Sequence, residues 1–262
     1  MFLDLINVGD EILTLGEAAD EADWRALVEK GLKGASWDTL VGQTADGVEL
    51  KPLYRESDIH TAEDVSGFPG AAPFVRGARL GPWRIRQLFE HPSLELTNQD
   101  ILADLRGGAN AIELKLDPSG ADGVAVQSAA DLDRTLAEII LEAAPVSLDA
   151  GAHGLWAAKL LRDKLKGVAT VGAAFNLDPI GAALLRAPNS EFHIESASEF
   201  AASAADELAN ARAMRVDVRI IHEAGGTEAQ EIAYALSCGI GYLSGLNRHG
   251  LDMARAARTI SF

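Results

Sequence analysis

From residue 94 the sequence alternates short apolar runs with longer helix-periodic ones, and that alternation most restricts the folds open to it. LELTNQDILADLRGGA has helical spacing and closes on Gly107-Gly108, and AIELKL follows as a short strand. SAADLDRTLAEIILEAA, with Ser128 at its N-cap position, is a helix, and PVSLDAG is a strand. GLWAAKLLRDKLKG is helical, GVATVGAAF is a strand and NLDPIGAALLR a loop. SASEFAASAADELANARAM reads as a long helix, VDVRIIHEAGG as a strand with its loop, and TEAQEIAYALSCGIGYLSGLNRHG as a helix before LDMARAARTISF. Strand, helix and strand recurring roughly every 30–45 residues imply a parallel sheet covered by helices.

A closed (β/α)8 barrel takes eight such units and about 250 residues. The stretch from 94 to 262 has room for four units and the start of a fifth. Two architectures fit: a parallel TIM-barrel type that is incomplete in this chain, or an open, doubly wound sheet. The strand-like ISF favours the incomplete barrel, and the chain reads as one cut short.

Residues 1–93 have a different texture and form an N-terminal arm, a hairpin and a Gly/Pro/Arg loop ahead of the partial barrel, residues 94–262. Asp23 is placed to cap a short helix, WRALVEKGLKG, that stops at Gly34. Asp46-Gly47 sits between two β-favouring segments and reads as a hairpin turn. The loop SGFPGAAPFVRGARLGPWRIRQLFEHP mixes turn-formers with Phe68, Phe74 and Trp83, which are expected to pin it. Trp24, Trp37 and Trp156 read as packing anchors. Gly225-Gly226 reads as a tight strand-to-helix turn.

Charge and cysteine usage narrow the function. With 39 acidic against 23 basic residues the net charge is −16, which argues against a nucleic-acid or anionic-membrane surface. Cys238 is the one cysteine, so the chain has no internal disulfide and no cysteine-based zinc cluster. His91, His153, His193 and His249 share no ligand spacing, and no metal is assigned. The N-terminus is acidic and lacks the cationic start of a targeting peptide, and apolar runs are too short to span a bilayer, which points to the cytoplasm.

Three stretches together carry a resemblance: LVEKGLKGASWDTLVGQTADGVELKPLY (27–54), the loop G-F-P-G…P-F-x-R-G…P-W-x-I-R-Q, and IIHEAGGTEAQEIAYALSCGIGYLSGLNRHGLDMARAARTISF (220–262). In that order they resemble the adenosylcobalamin-dependent acyl-CoA mutases, above all the methylmalonyl-CoA mutase family. The resemblance implies a (β/α)8 barrel threaded by the acyl-CoA chain. It also implies a separate C-terminal flavodoxin-like domain that gives cobalamin a histidine from a D-x-H-x-x-G motif. This sequence contains no such cobalamin-binding domain. Asp58-Ile59-His60 imitates the motif's start, without its glycine and in the arm. Adenosylcobalamin therefore belongs to the family or complex, with none expected on this chain alone.

Residue by residue, the family's reactive groups are replaced. Where catalytic chains carry Tyr after R-Q, this chain has Leu88. Where they carry Gln before an Asn-Asp pair, it has Phe175 before Asn176-Leu177. Where an Arg holds the methylmalonyl carboxylate, it has Leu185. His222 matches a strand-end histidine that stabilises the thioester carbonyl in the family, although the segment before E-A-G is two residues shorter here. The plainer reading, a histidine satisfied by neighbouring backbone, is preferred. Asn176, Arg76, Arg84 and Arg86 are the candidate substrate-binding residues. The arginines suit either CoA phosphates and pantetheine or carboxylates of this chain and a partner.

The short I-H-E-A-G-G loop, W-x-x-x-Q-x-x-x-H-P at Trp83–Pro92 and N-L-D-P resemble the family's small subunit, which keeps the fold without the catalytic residues. The implied role is a structural small subunit beside a large catalytic one, or self-association. Two alternatives stay open: a catalytic barrel for an uncharged acyl-CoA, and a CoA- or partner-binding module.

Overall fold

The computed structural model describes residues 20–59, 66–77, 83–169, 172–185, 193–208 and 210–262. Residues 1–65 and 66–262 form two compact units.

In the first unit, α1 (Glu21–Leu32) is capped by Asp20 and not Asp23: the Asp20 carboxylate accepts the Asp23 N–H at 2.9 Å. The cap lies three residues earlier because Asp23 already has helical backbone. Strands β1 (Gly42–Gln43) and β2 (Glu49–Leu50) pair antiparallel around Asp46-Gly47. The rings of Trp24 and Trp37 meet edge-to-face at 5.6 Å, with the Arg25 guanidinium over Trp37.

The second unit is a six-stranded parallel sheet. Its elements are β3 (Arg86–Phe89), α2 (Leu94–Gly107), β4 (Ala111–Lys115), α3 (Ala129–Thr135), β5 (Val146–Asp149), α4 (Gly154–Lys164), β6 (Ala173–Leu177), α5 (Pro179–Leu184), α6 (Ile194–Glu207), β7 (Ala211–Arg215), α7 (Arg219–Glu223), α8 (Glu228–Arg248), α9 (Met253–Thr259) and β8 (Ile260–Ser261). Strands pair in chain order from β3 to β8. A doubly wound sheet reverses its order partway, and this one does not. Crossovers between successive neighbours, right-handed as a rule, place the covering helices on one face. Among the described residues β3 and β8 each pair on one side only, so the barrel is not closed.

The sequence produces this layering by alternation. Ile112 and Leu114 of β4 are fully buried toward the helices, with Val146 and Leu148 beside them in register. Ile101 of α2, Ala157, Ala158 and Leu161 of α4, and Ala197 and Ala201 of α6 close over them. Ser93 caps α2 by accepting the Leu96 N–H, and Gly108, at φ 111°, takes the left-handed turn that ends it. Ser128 caps α3 as expected. Glu113, Lys115 and Asp149 point to the other face, which a doubly wound sheet would have to cover with apolar side chains.

Further expectations change; NLDPIGAALLR, read as a loop, holds the end of β6 and helix α5. RIRQLF lies inside the stretch read as loop, yet Arg86–Phe89 forms the first strand of the sheet, giving one more βα unit than a count from residue 94. ARAMR is strand β7, not the end of the long helix, because its buried Ala211 and Ala213 fit between sheet and helices. RIIHE is the short helix α7, not a strand, so Gly225-Gly226 joins two helices. Phe68, Phe74 and Trp83 are exposed among the described residues and not buried as anchors.

Candidate functional site

Ligand sites of parallel α/β sheets lie at the C-terminal strand ends, where loops converge and no strand continues. Here three carboxylates stand at or just beyond successive ends: Asp149 closes β5, Asp178 follows β6 and Asp217 follows β7. With Asn176, Leu185, Arg215 and Arg219 they line a cleft of about 270 Å³.

The charges in this cleft are matched within the chain. One Arg215 nitrogen lies 3.3 Å from Asp149 and 3.5 Å from Asp217, and another lies 3.9 Å from Glu113. Arg219 donates Nε–H to both Asp217 oxygens, at 2.9 and 3.1 Å, and its Nη2 reaches Asp149 at 3.8 Å. The Arg219 hydrogen bond holds the Asp217 carboxyl below its ordinary range, and Asp217 in turn pushes the guanidinium up.

Asp178 is the structural centre. Its carboxylate accepts the Gly181 N–H at 3.0 Å, capping α5, the Asp217 N–H at 3.1 Å, and the hydroxyl of the fully buried Tyr242 on α8. The same Tyr242 oxygen accepts the Ile180 N–H at 3.1 Å. Burial, with the neighbouring Asp178 carboxylate, pushes the Tyr242 phenol well up, so it stays a donor.

The sequence-derived candidates separate into several places. Asn176 lines the cleft at φ 51° and donates Nδ2–H to the Leu148 carbonyl at 2.9 Å. Leu185 caps the end of α5, exposed at the cleft. Leu88 is exposed on the charged face, in register with Glu113. Phe175 faces the helix layer instead, its ring edge-to-face with Phe200 at 5.2 Å. His222 sits in the last turn of α7, not at a strand end, exposed, with Nδ1 2.7 Å from Glu231 Oε1. That hydrogen bond raises its pKa.

Arg84 and Arg86 lie at the opposite end of the strands. With Arg212, Ser147 and Asn210 they line a cleft of about 430 Å³. Arg86 is 4.0 Å from Glu113, and Arg212 donates to the Ile260 carbonyl at 2.8 Å. Arg76 is apart from them and donates to Ser66 Oγ at 2.9 Å.

The sequence reading missed the Asp149–Asp178–Asp217 set, and the signal was present. SLDA, NLDP and RVDV each put Asp directly after a strand-forming apolar residue, at three consecutive strand ends. Arg212 was hidden in a segment taken for helix.

Parallel strands in chain order, helices on one face and polar groups gathered at the strand ends define a singly wound α/β chain of the (β/α)-barrel type. A family model described as methylmalonyl-CoA mutase matches residues 43–262, and the chain belongs to that family. It is similar to the methylmalonyl-CoA mutase small subunit of Streptomyces virginiae, at 33% identity over 93% of this chain and 41% of the relative. It is also similar to the small subunit from Propionibacterium freudenreichii subsp. shermanii, at 28% over 93% and 40%. The methylmalonyl-CoA mutase large subunit of Streptomyces virginiae matches at 26% over 94% and 37%. The chain thus spans about two fifths of the length of these curated relatives.

The strand-end cleft does not fit adenosylcobalamin, because no histidine is among its lining residues. The described histidines lie elsewhere, each with one ring nitrogen or its ring engaged within the chain. His222 Nδ1 is bound to Glu231 and His249 Nε2 to Glu195, His91 Nδ1 accepts the Ser93 N–H, His193 faces Ser196, and His153 packs edge-on against Trp156. The strand-end cleft is small and lined by paired charges. Asp58 already accepts from Lys51 and the Arg55 N–H, and His60 lies outside the described residues.

Proposed function

We propose that this chain is a small-subunit-type component of a cobalamin-dependent acyl-CoA mutase, with a structural and not a catalytic role. The complex would isomerise methylmalonyl-CoA to succinyl-CoA, with cofactor and chemistry on a large-subunit partner in the cytoplasm. One observation carries the reading: Arg215 and Arg219, which line the strand-end cleft, are each held by carboxylates of the same chain. A substrate carboxylate entering there would meet Asp149, Asp178 and Asp217 before any uncompensated positive charge. The apolar residues at Leu88, Phe175 and Leu185 agree, since none offers a hydroxyl, amide or cation.

The test is turnover. The purified chain with adenosylcobalamin and methylmalonyl-CoA is expected to show none. Added to a large-subunit-type mutase chain, it is expected to co-elute and raise that chain's thermal stability. Isomerisation by this chain alone would overturn the proposal.

A second reading is favoured by exposed Leu88 and Leu185, which would suit an uncharged acyl group on a catalytic barrel. Turnover of a straight-chain acyl-CoA, but not of methylmalonyl-CoA, would select it. A third, a CoA- or partner-binding module, draws on the cleft of Arg84, Arg86 and Arg212. Equilibrium dialysis with free CoA tests it, with saturable binding lost in Arg86→Met as the supporting result.

A further inference from the structure

Helix α7 forms one wall of the strand-end cleft, through Arg219, Ile220 and Glu223. Yet it lends no side chain to the core: from 217 to 237 no residue is buried, whereas Val216 and Cys238 on either side are. A segment with few buried apolar contacts opens at little cost in free energy. Polar tethers hold α7 instead. At its start, Arg219 donates to Asp217 and reaches Asp149 at 3.8 Å, and the Asp217 N–H is fixed to Asp178. At its end, His222 Nδ1 lies 2.7 Å from Glu231 Oε1 on α8. The Gly225 and Gly226 N–H groups bond back to His222 and Ile221, within the same turn. Gly225, at φ 85°, gives the connection to α8 a backbone that glycine adopts freely. Helix α8 is started firmly by the reciprocal cap of Thr227 and Gln230. The start of α7 is thus tied to the sheet, and its end to α8 through the His222–Glu231 pair.

That pair is titratable, and the charges acting on it have one sign. The Glu231 hydrogen bond raises the His222 pKa most, with Glu228 of α8 and Glu223 of α7 adding to it. As imidazolium, His222 donates a charge-assisted hydrogen bond and offsets three carboxylates. As neutral imidazole it leaves them uncompensated. Because the folded value exceeds the unfolded one, this hold is fully present below about pH 6.5 and is lost as pH rises through the folded value.

We propose that α7 is a pH-operated gate on the strand-end cleft: protonated His222 latches it to Glu231, and loss of that proton frees the helix to move off the cleft. The gate does not depend on whether the chain is catalytic.

The experiment is nuclear magnetic resonance on the 262-residue chain with labelled isoleucine methyls and histidines, from about pH 5.5 to about pH 9. The Ile220 and Ile221 methyl signals are expected to titrate with the His222 midpoint and to lose order as the proton leaves. His222→Gln keeps a donor for Glu231 but has no charge to lose, and should abolish that titration. Glu231→Gln should bring the His222 midpoint down toward the ordinary histidine value. Both side chains lie outside the core, so neither variant should disturb the fold. Trypsin reads the gate itself, because Arg219 is on α7. Cleavage after Arg219 in the parent, divided by that in His222→Gln at the same pH, cancels the protease's own pH dependence. This ratio should rise about threefold from the acid to the alkaline side, a factor in keeping with one exposed pair. Isoleucine methyls that stay flat while His222 titrates would overturn the proposal. So would a His222 midpoint unmoved by Glu231→Gln, or a cleavage ratio that does not change with pH.

Discussion

The two ends of the parallel sheet carry arginines in opposite circumstances. At the C-terminal strand ends, Arg215 is partly buried among Asp149, Asp217 and Glu113, the exposed Arg219 is paired with Asp217, and the backbone around them is tied to Asp178. At the N-terminal ends, Arg84, Arg86 and Arg212 line a larger cleft, and the Arg86–Glu113 pair is stretched to 4.0 Å. The same residue type serves as internal structure at one end and as a cationic lining at the other. What separates them is the supply of carboxylates from strand ends, not the number of arginines.

The comparison breaks first at Asp178. Replacing it with Ala leaves the buried Tyr242 hydroxyl and the N–H groups of Gly181 and Asp217 without their acceptor. Urea unfolding should show a loss of about 3 kcal/mol. A loss under about 0.5 kcal/mol would mean that the strand-end structure is not organised around this carboxylate.

Arg215→Met comes next. It removes the cation shared by Asp149, Asp217 and Glu113, and the side chain is partly screened by water. The expected destabilisation in the same assay is about 1–2 kcal/mol. A stabilised variant would show that these charges are better solvated apart.

A smaller effect distinguishes the ends by pH. Asp217 has a folded-state pKa below its unfolded value, so its contribution is fully present above about pH 4 and is lost as pH falls through the folded value. Arg219→Ala should therefore lower stability slightly near neutrality and flatten the acid limb, so that parent and variant converge as pH falls below about pH 4. An identical acid limb in parent and variant would remove Arg219 as the cause. At the other end, Arg86→Met should change stability by no more than about 0.5 kcal/mol, because its contact is long and exposed. A drop comparable to that of Arg215→Met would erase the distinction between the two clefts.

Much of the architecture was legible because parallel sheets alternate apolar strands with amphipathic helices at a readable period. The helices capped by Ser93, Ser128 and Thr227 begin where a side-chain acceptor meets the first turn. The errors fall where local preference and tertiary context disagree. ARAMR has the composition of a helix, yet its small residues are what β7 needs to lie flat between neighbours. RIIHE is rich in β-branched residues, yet it turns helical where the chain must leave the sheet for α8. β3 was concealed by glycine and proline, which mark its approach and not the strand itself. At the site, Asn176 and Leu185 were found through resemblance. The carboxylates that decide its chemistry required knowing that Asp149, Asp178 and Asp217 converge, which is a fact of topology.

Pairing in chain order also has a kinetic side. Each strand's partner is the one synthesised just before it, so no strand must wait for a distant segment before its ladder forms. Each addition closes one crossover of one to three helices, and because closure entropy grows only with the logarithm of loop length its cost varies little along the sheet. The sheet can therefore grow vectorially, with β3 and α2 as the template on which β4 docks, and so on to β8. Pulse-labelled hydrogen exchange on refolding should show amide protection in β4 no later than in β7. Protection that begins at β7 would reverse that order of assembly.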